Sequence, residues 1–138
     1  MKKIFIYFSL TGNGDIVAET FKSKGYDIRK VISKKTSKET ALALESVVQN
    51  GTGRNAFIDG YRVGGKTGTG QKFEEGTNKR VEELYAVSFM GFAPVDDPQV
   101  VALIVFDDLP EGTGAPASAF KDMMLEIFPY LGIETSDD

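Results

Sequence analysis

The chain has 138 residues, of which 41% are hydrophobic and 26% charged, a composition that fits one globular domain with a modest core. With 20 acidic and 16 basic residues the net charge is −4, so no basic field exists to attract a nucleic-acid backbone. Cysteine and histidine are absent, which excludes disulfides, the usual zinc sites, cysteine nucleophiles and histidine-based triads.

The N-terminal segment begins like a signal peptide but is too short for one. Its apolar run stops at Ser9, and polar and glycine residues follow where an apolar core should continue. No apolar run in the sequence is long enough to span a bilayer. The sequence therefore predicts a cytoplasmic protein without a membrane partner.

Residues 3–8 are rich in β-branched and aromatic side chains and predict a buried strand of the parallel kind. A glycine-bearing loop follows, then a helix that Gly25 ends, then a second strand over residues 26–32. Strand, loop, helix and strand form a βαβ unit, in which the loop amides and the helix N-terminus can bind an anion.

Residues 1–32 resemble flavodoxin, whose first strand leads into an S/T-x-T-G-x-T loop around the FMN phosphate. The residues that this resemblance implies for phosphate binding form one loop: Ser9, Leu10, Thr11, Gly12, Asn13 and Gly14. Gly14 stands where the family usually has threonine, and the later loops that enclose the flavin ring have no counterpart. The resemblance implies either weak FMN binding or a unit that serves only as scaffold, without a cofactor.

The next predicted element is a helix. Thr36 and Glu39 form a capping box that predicts its start, and Asn50-Gly51 predicts its end. Strands are predicted over residues 61–67, 84–92 and 100–106, and charged residues 71–82 predict a solvated connection. Pro116 suits the first turn of a last helix, and residues 134–138 predict a frayed tail.

Residues 60–71 bring a cation, two hydroxyls and flexible backbone to one place. Lys66 supplies the cation, Thr67 and Thr69 supply the hydroxyls, and Gly68 lets a ligand approach the main chain. These groups suit a carboxylate or an oxyanion, but they include no nucleophile. We therefore expect non-covalent binding of an anionic ligand at this strand.

Lys66-Thr67-Gly68 matches K-T-G, the third motif of the serine penicillin-recognising enzymes. Gly51-Thr52-Gly53 before it and residues 88–94 after it extend the match, and residues 33–133 resemble the C-terminal half of the transpeptidase domain of class B penicillin-binding proteins. The resemblance implies a remnant of a peptidoglycan and penicillin site at the K-T-G strand. Its implied residues are Lys66, Thr67, Gly68 and Thr69.

The implied mechanism needs a serine with a lysine one helical turn later, so that the amine can take the proton. Ser118 and Lys121 match this spacing, but they follow K-T-G in a segment that resembles the family's C-terminal helix, and we interpret them as a coincidence. No S-x-N or Y-x-N occurs. Asp96-Asp97 and Asp107-Asp108 are interpreted as turn residues rather than a metal site.

The predicted fold is mixed α/β, a single domain over residues 1–138 with three helices on the two faces of one five-stranded sheet. The predicted strand order is 26–31, 3–8, 100–106, 84–92, 61–67, that is, 2-1-5-4-3. The reason is that residues 100–106 would otherwise leave an apolar edge that invites self-association, and residues 3–8 are the other strongly apolar strand.

Three functional interpretations follow. The first is a catalytically incomplete, non-enzymatic scaffold, either an engineered or recombined flavodoxin–transpeptidase chimera or a natural truncated or fused reading frame. The second is a weak FMN- or phosphate-binding module. The third is part of a peptidoglycan transpeptidase that another chain completes by supplying the missing nucleophile.

Overall fold

The computed structural model describes residues 4–7, 19–30, 32–74, 76–77 and 79–136, and of residues 4–7, 29–30 and 82 only the backbone. Residues 19–23 are helical. The other elements, in chain order, are strands β1 (Ile4–Tyr7) and β2 (Asp27–Lys30), helix α1 (Lys34–Asn50), a 3₁₀ turn (Arg54–Ala56), strands β3 (Gly64–Phe73), β4 (Arg80–Ala93) and β5 (Val100–Leu109), and helix α2 (Ala115–Leu131).

The described strands form two sheets rather than one. Strands β1 and β2 are parallel, and β3, β4 and β5 form an antiparallel meander in that order, both as predicted. The predicted five-stranded sheet is not formed, because β1 pairs with β2 and β5 pairs with β4, but β1 and β5 do not pair. Apolar composition shows that a strand needs cover, and it does not show which segment supplies that cover.

Helix α1 begins earlier than its sequence signal predicts. Its N-cap is Ser33, whose Oγ accepts a hydrogen bond from the Thr36 amide at 3.0 Å. The predicted capping box of Thr36 and Glu39 is therefore wrong, since Thr36 already lies in the first turn. Ser33 adds one more turn of backbone hydrogen bonds to the helix. The predicted end is confirmed, with Gly51 as the C-cap.

The core lies between the three-stranded sheet and helix α2. Phe89 of β4 and Phe120 and Phe128 of α2 are fully buried, and the rings of Phe89 and Phe120 pack edge to face with centroids 5.1 Å apart. Met124 is also fully buried and lies on the same face of α2 as the two phenylalanines. Pro129 lies inside the last turn, and the helix ends two residues later, before Gly132 in the left-handed conformation.

The opposite face of the sheet is apolar and exposed. We call Met90, Val101, Leu103 and Val105 the apolar sheet face, since these side chains are 55%, 69%, 60% and 55% exposed. Strand β5 was predicted to be a central strand, but among the described strands its outer edge has no partner. The apolar sheet face is therefore a surface that the described part of the chain leaves uncovered.

The C-terminal residues are tied back to the segment before β3. The amide and the hydroxyl of Ser136 both donate hydrogen bonds to the Gly60 carbonyl oxygen, at 2.8 and 3.2 Å. Residues 134–136 are thus held in place where the sequence predicts a frayed tail.

Gly65 allows β3 to pack against the aromatic core. A Cβ at Gly65 would overlap the ring of Phe89 and lie 2.8 Å from the Met90 carbonyl oxygen. We expect Gly65→Ala to lower the free energy of unfolding by about 1–3 kcal/mol, because an overfilled core must shift. Gly70→Ala is the control in the same strand, since its Cβ would lie an ordinary 3.7 Å from the Ala86 carbonyl oxygen. Urea denaturation of both variants measures the difference, and equal losses would contradict this account.

A second constraint joins β3 to the end of β5. Lys72 Nζ donates hydrogen bonds to Asp107 Oδ2 and Asp108 Oδ1, each at 2.7 Å. The hydrogen bond from Lys72 lowers the pKa of Asp107 from its ordinary value of 3.8, and the hydrogen bonds to Asp107 and Asp108 raise the pKa of Lys72. Both shifts favour the charged pair in the folded protein.

The sign of the pH dependence follows from these directions. A carboxyl whose pKa is lower in the folded state stabilises the fold above its unfolded pKa, and the stabilisation is lost as the pH falls through the folded pKa. Lys72→Met should therefore flatten the fall in melting temperature between about pH 5 and pH 3. Lys79→Met, a change of an exposed lysine between β3 and β4, should retain the wild-type profile. If the melting temperatures of wild type and both variants fall in parallel with pH, the interaction of Lys72 with Asp107 and Asp108 is not coupled to folding.

Candidate functional site

Strand β3 presents the K-T-G residues on two faces. Lys66 is directly opposite Met90, and Met90 is opposite Leu103, so Lys66 shares the side of the apolar sheet face. Thr67 and Thr69 are opposite Phe89 and Val87, which belong to the other side of the sheet. Among the described strands β3 pairs with β4 alone, so its outer edge, which we call the open edge of β3, has no strand partner.

A chain of hydrogen bonds crosses this open edge. Lys66 Nζ donates to the Thr67 carbonyl oxygen at 3.0 Å and to Thr67 Oγ1 at 3.1 Å, and Thr67 Oγ1 donates to Thr52 Oγ1 at 3.2 Å. A hydroxyl can donate one hydrogen bond, so Thr67 uses its proton in the bond to Thr52. The Thr52 hydroxyl is then the last member of this chain of hydrogen bonds, and its own proton is not used in it. Thr52 therefore belongs to the hydrogen-bonded group at the K-T-G strand and is a candidate site residue. The sequence analysis used it only as part of the flanking match.

A cleft of about 410 Å³ lies on the side of Thr67 and Thr69. One wall is the K-T-G strand, and the other consists of residues 111–114 with the start of α2, where Pro116 and Ala117 are buried. The loop before β3 closes the cleft. This loop contributes four residues: Gly51, Thr52, Arg54 and Asn55. Sequence reasoning missed Arg54 and Asn55, whose only signal was their place between the Gly-Thr-Gly flank and the K-T-G strand.

An ion pair fixes the segments that carry the site. Arg62 Nε and Nη2 donate to the two carboxylate oxygens of Glu45 at 2.8 and 2.7 Å, and Arg62 Nη1 lies 3.8 Å from Asp96 Oδ1. The Glu45 side chain is only 9% exposed, and its hydrogen bond raises the pKa of Arg62. The pair joins α1, whose end leads to Thr52, with the segment that enters β3.

The remaining predicted residues lie elsewhere. Ser118 and Lys121 line a separate depression with Arg54, Asn55 and Asp122, and neither lines the cleft. The predicted phosphate loop, Ser9 to Gly14, lies outside the described residues. Within the described ranges, no three acidic, histidine or cysteine residues are placed to hold a metal ion, and no helix has the length and apolarity to cross a membrane.

Comparisons with known proteins agree with the K-T-G resemblance. The model of the family described as "Penicillin binding protein transpeptidase domain" matches residues 7–125. Stage V sporulation protein D of Bacillus subtilis is 50% identical over 111 residues, which are 77% of this chain and 17% of that protein. The solved TP domain of Burkholderia pseudomallei penicillin-binding protein 3 is 31% identical with a TM-score of 0.68, over 78% of this chain and 33% of that chain.

The comparisons give no support to a flavodoxin-like segment or to a chimera. The family match begins at residue 7 and continues across residue 33, where the sequence analysis placed the seam. The probable peptidoglycan D,D-transpeptidase PenA of Neisseria flavescens is 30% identical over 135 residues, 92% of this chain and 33% of that protein. The chain thus spans a third or less of the length of these relatives.

The pair of Arg62 and Glu45 can be tested by mutation. Arg62→Ala leaves the buried Glu45 carboxylate unpaired, and we expect it to lower the free energy of unfolding by about 2–3 kcal/mol, less than for a fully buried pair. Lys35→Ala is the control, since it removes an exposed 3.8 Å ion pair with Glu39 and should change the free energy by about 0.5 kcal/mol or less. Chemical denaturation measures the free energy of unfolding of both variants. If Arg62→Ala loses no more free energy of unfolding than Lys35→Ala, the ion pair does not hold α1 and the segment before β3 together.

Proposed function

The chain belongs to the penicillin-binding protein transpeptidase domain family, and on that premise we propose that it forms the K-T-G part of a peptidoglycan transpeptidase site. In this proposal the chain binds the carboxylate-bearing end of a peptide or a penicillin beside β3. A serine and its lysine, supplied by another segment or another chain, carry out the covalent step. The catalytic incompleteness predicted from the sequence is then that of one part of a larger site.

The observation that carries the proposal is the position of Lys66 beside the apolar sheet face. Four exposed apolar side chains on two neighbouring strands form a patch of the kind that marks an interface. This chain covers 33% of the TP domain of Burkholderia pseudomallei penicillin-binding protein 3, so that domain has further segments without a counterpart in the match. A segment that covered the apolar sheet face would lie next to the Lys66 ammonium, where a nucleophile would be needed.

The open edge of β3 suits an extended peptide. Backbone N–H and C=O groups along an unpaired strand edge can pair with a peptide that adds as a further strand. Gly68 lies in the middle of the K-T-G strand and has no side chain to obstruct such a ligand. Lys66 would supply positive charge to the peptide carboxylate from the side of the apolar sheet face.

The cleft itself offers no activated nucleophile. Ser88 lines it, close enough to Gly68 that a Cβ there would lie 2.6 Å from Ser88 Oγ. Among the described residues, no lysine, carboxylate or other base makes a hydrogen bond to the Ser88 hydroxyl, and activation of serine requires such a base. This supports an outside source for the nucleophile.

Complementation tests the proposal. The chain alone, incubated with a fluorescent penicillin and then denatured, should carry no covalent adduct. The TP domain of Burkholderia pseudomallei penicillin-binding protein 3, without the region that this chain matches, should bind the chain, and the mixture should form an adduct on that polypeptide. Leu103→Asp should abolish binding, because it charges the apolar sheet face. Tyr130→Asp, a change of an 88% exposed residue of α2, should leave binding intact.

Two results would overturn the proposal. An adduct on the isolated chain, mapped to Ser88 or Ser118, would show that the chain has its own nucleophile. Binding that is unaffected by Leu103→Asp would show that the apolar sheet face is not the surface that the completing segment covers.

A further inference from the structure

Arg54 is the cation that lines the cleft, and it has no acidic partner among the described residues. The other arginine beside the K-T-G strand, Arg62, is occupied by Glu45 and Asp96, and Lys72 is occupied by Asp107 and Asp108. Arg54 is exposed and forms neither an ion pair nor a side-chain hydrogen bond within the described ranges. Its guanidinium is therefore available to a ligand.

Thr52 is available on the same wall of the cleft. The hydrogen-bond chain runs from Lys66 through Thr67 and leaves the Thr52 proton without an acceptor among the described residues. A hydroxyl whose oxygen already accepts a hydrogen bond is oriented to donate its own proton. Thr52 and Arg54 are two residues apart and both line the cleft, so a hydroxyl-bearing residue and a cationic residue border one ligand space.

The backbone that carries these two residues is held on both sides. The amides of Gly51 and Gly53 donate to the Val47 carbonyl oxygen at 3.0 and 3.1 Å, and the Ala56 amide donates to Gly53 at 2.9 Å. Asn55 packs so closely on Gly114 that a Cβ at Gly114 would overlap its carboxamide. The loop is thus fixed to α1 and to the start of α2 before any ligand arrives, which lowers the entropic cost of binding.

We propose that Thr52 and Arg54 form an anion subsite that binds the carboxylate of the peptide or penicillin on the α2 side of β3. The inference rests on the function proposed above and assigns a second cation to it. Lys66 lies on the other side of the strand and already donates to Thr67. A carboxylate beside Thr67 and Thr69 therefore takes its bidentate partner from Arg54, whose planar donors match its two oxygens.

Glu111 makes the proposal testable in two directions. It lines the opposite wall and is the acidic residue of the described cleft, so its charge opposes that of an anionic ligand. Removal of the Arg54 charge and removal of the Glu111 charge should therefore change carboxylate affinity in opposite senses. A nonspecific effect of unfolding would weaken binding in both variants.

The experiment is a titration of the chain with acetyl-D-alanyl-D-alanine and with its C-terminal amide, followed by chemical shifts of backbone amides. Arg54→Gln should raise the Kd for the acid about three- to fivefold and leave the amide unchanged. Thr52→Val should raise the Kd for the acid about threefold. Glu111→Gln should lower this Kd, and Arg54→Lys should retain part of the affinity for the acid. Lys121→Gln is the control, since this nearby cation lies outside the cleft.

The outcomes separate the inference from the function on which it rests. If Lys66→Ala weakens binding of the acid and Arg54→Gln does not, the subsite is overturned and the proposed function stands. If the wild-type chain binds the acid no better than the amide, both are overturned. If Arg54→Gln melts at a lower temperature than wild type, the other two variants still decide the result. Arg54→Lys should raise the Kd for the acid slightly, and Glu111→Gln should lower it.

Discussion

The ring of Phe89 is the contact on which the rest of the site depends. It is fully buried and packs against Phe120 of α2, and three glycines make room for it. A Cβ at Gly65 would overlap the ring, one at Gly53 would lie 3.3 Å from it, and one at Gly91 would lie 2.7 Å from it. Gly65 directly precedes Lys66, and Gly53 directly follows Thr52. One aromatic ring thus sets the separation between the K-T-G strand and the loop that faces it.

This packing gives β3 two chemically different sides. One side faces the core and the cleft, where hydroxyl groups and Arg54 lie beside buried apolar residues of α2. The other side carries Lys66 next to the apolar sheet face, which the described residues leave exposed. Both sides meet at the open edge of β3, where the hydrogen-bond chain from Lys66 to Thr52 crosses. In the function proposed above, a ligand at this edge uses recognition groups from one side and a nucleophile, supplied from outside this chain, from the other.

In addition to the core, long-range ion pairs join the elements around this edge. The pair of Arg62 and Glu45 links α1 with the segment before β3, and Lys72 links the far end of β3 with Asp107 and Asp108 at the end of β5. Three of the four aspartates that sequence reasoning assigned to turns, Asp96, Asp107 and Asp108, are thus partners of cations. The partners were hidden in the sequence because 17 residues separate Arg62 from Glu45 and 35 separate Lys72 from Asp107.

The sequence by itself determined most of the local elements and, from residues 33–133, the family. Alternation over residues 84–92 located β4, the apolar run over residues 100–106 located β5, and the K-T-G motif with its flanks identified the transpeptidase family. Only the tertiary structure decided that β1 does not pair with β5, that Ser33 caps α1, and that Thr52 and Arg54 share a cleft with Thr67. The physical reason is the distance along the chain over which each kind of sequence signal acts. Periodicity and motifs report on neighbours along the chain. Strand partners and cleft walls depend on how distant segments pack together, and many apolar segments could fill the same place in that packing.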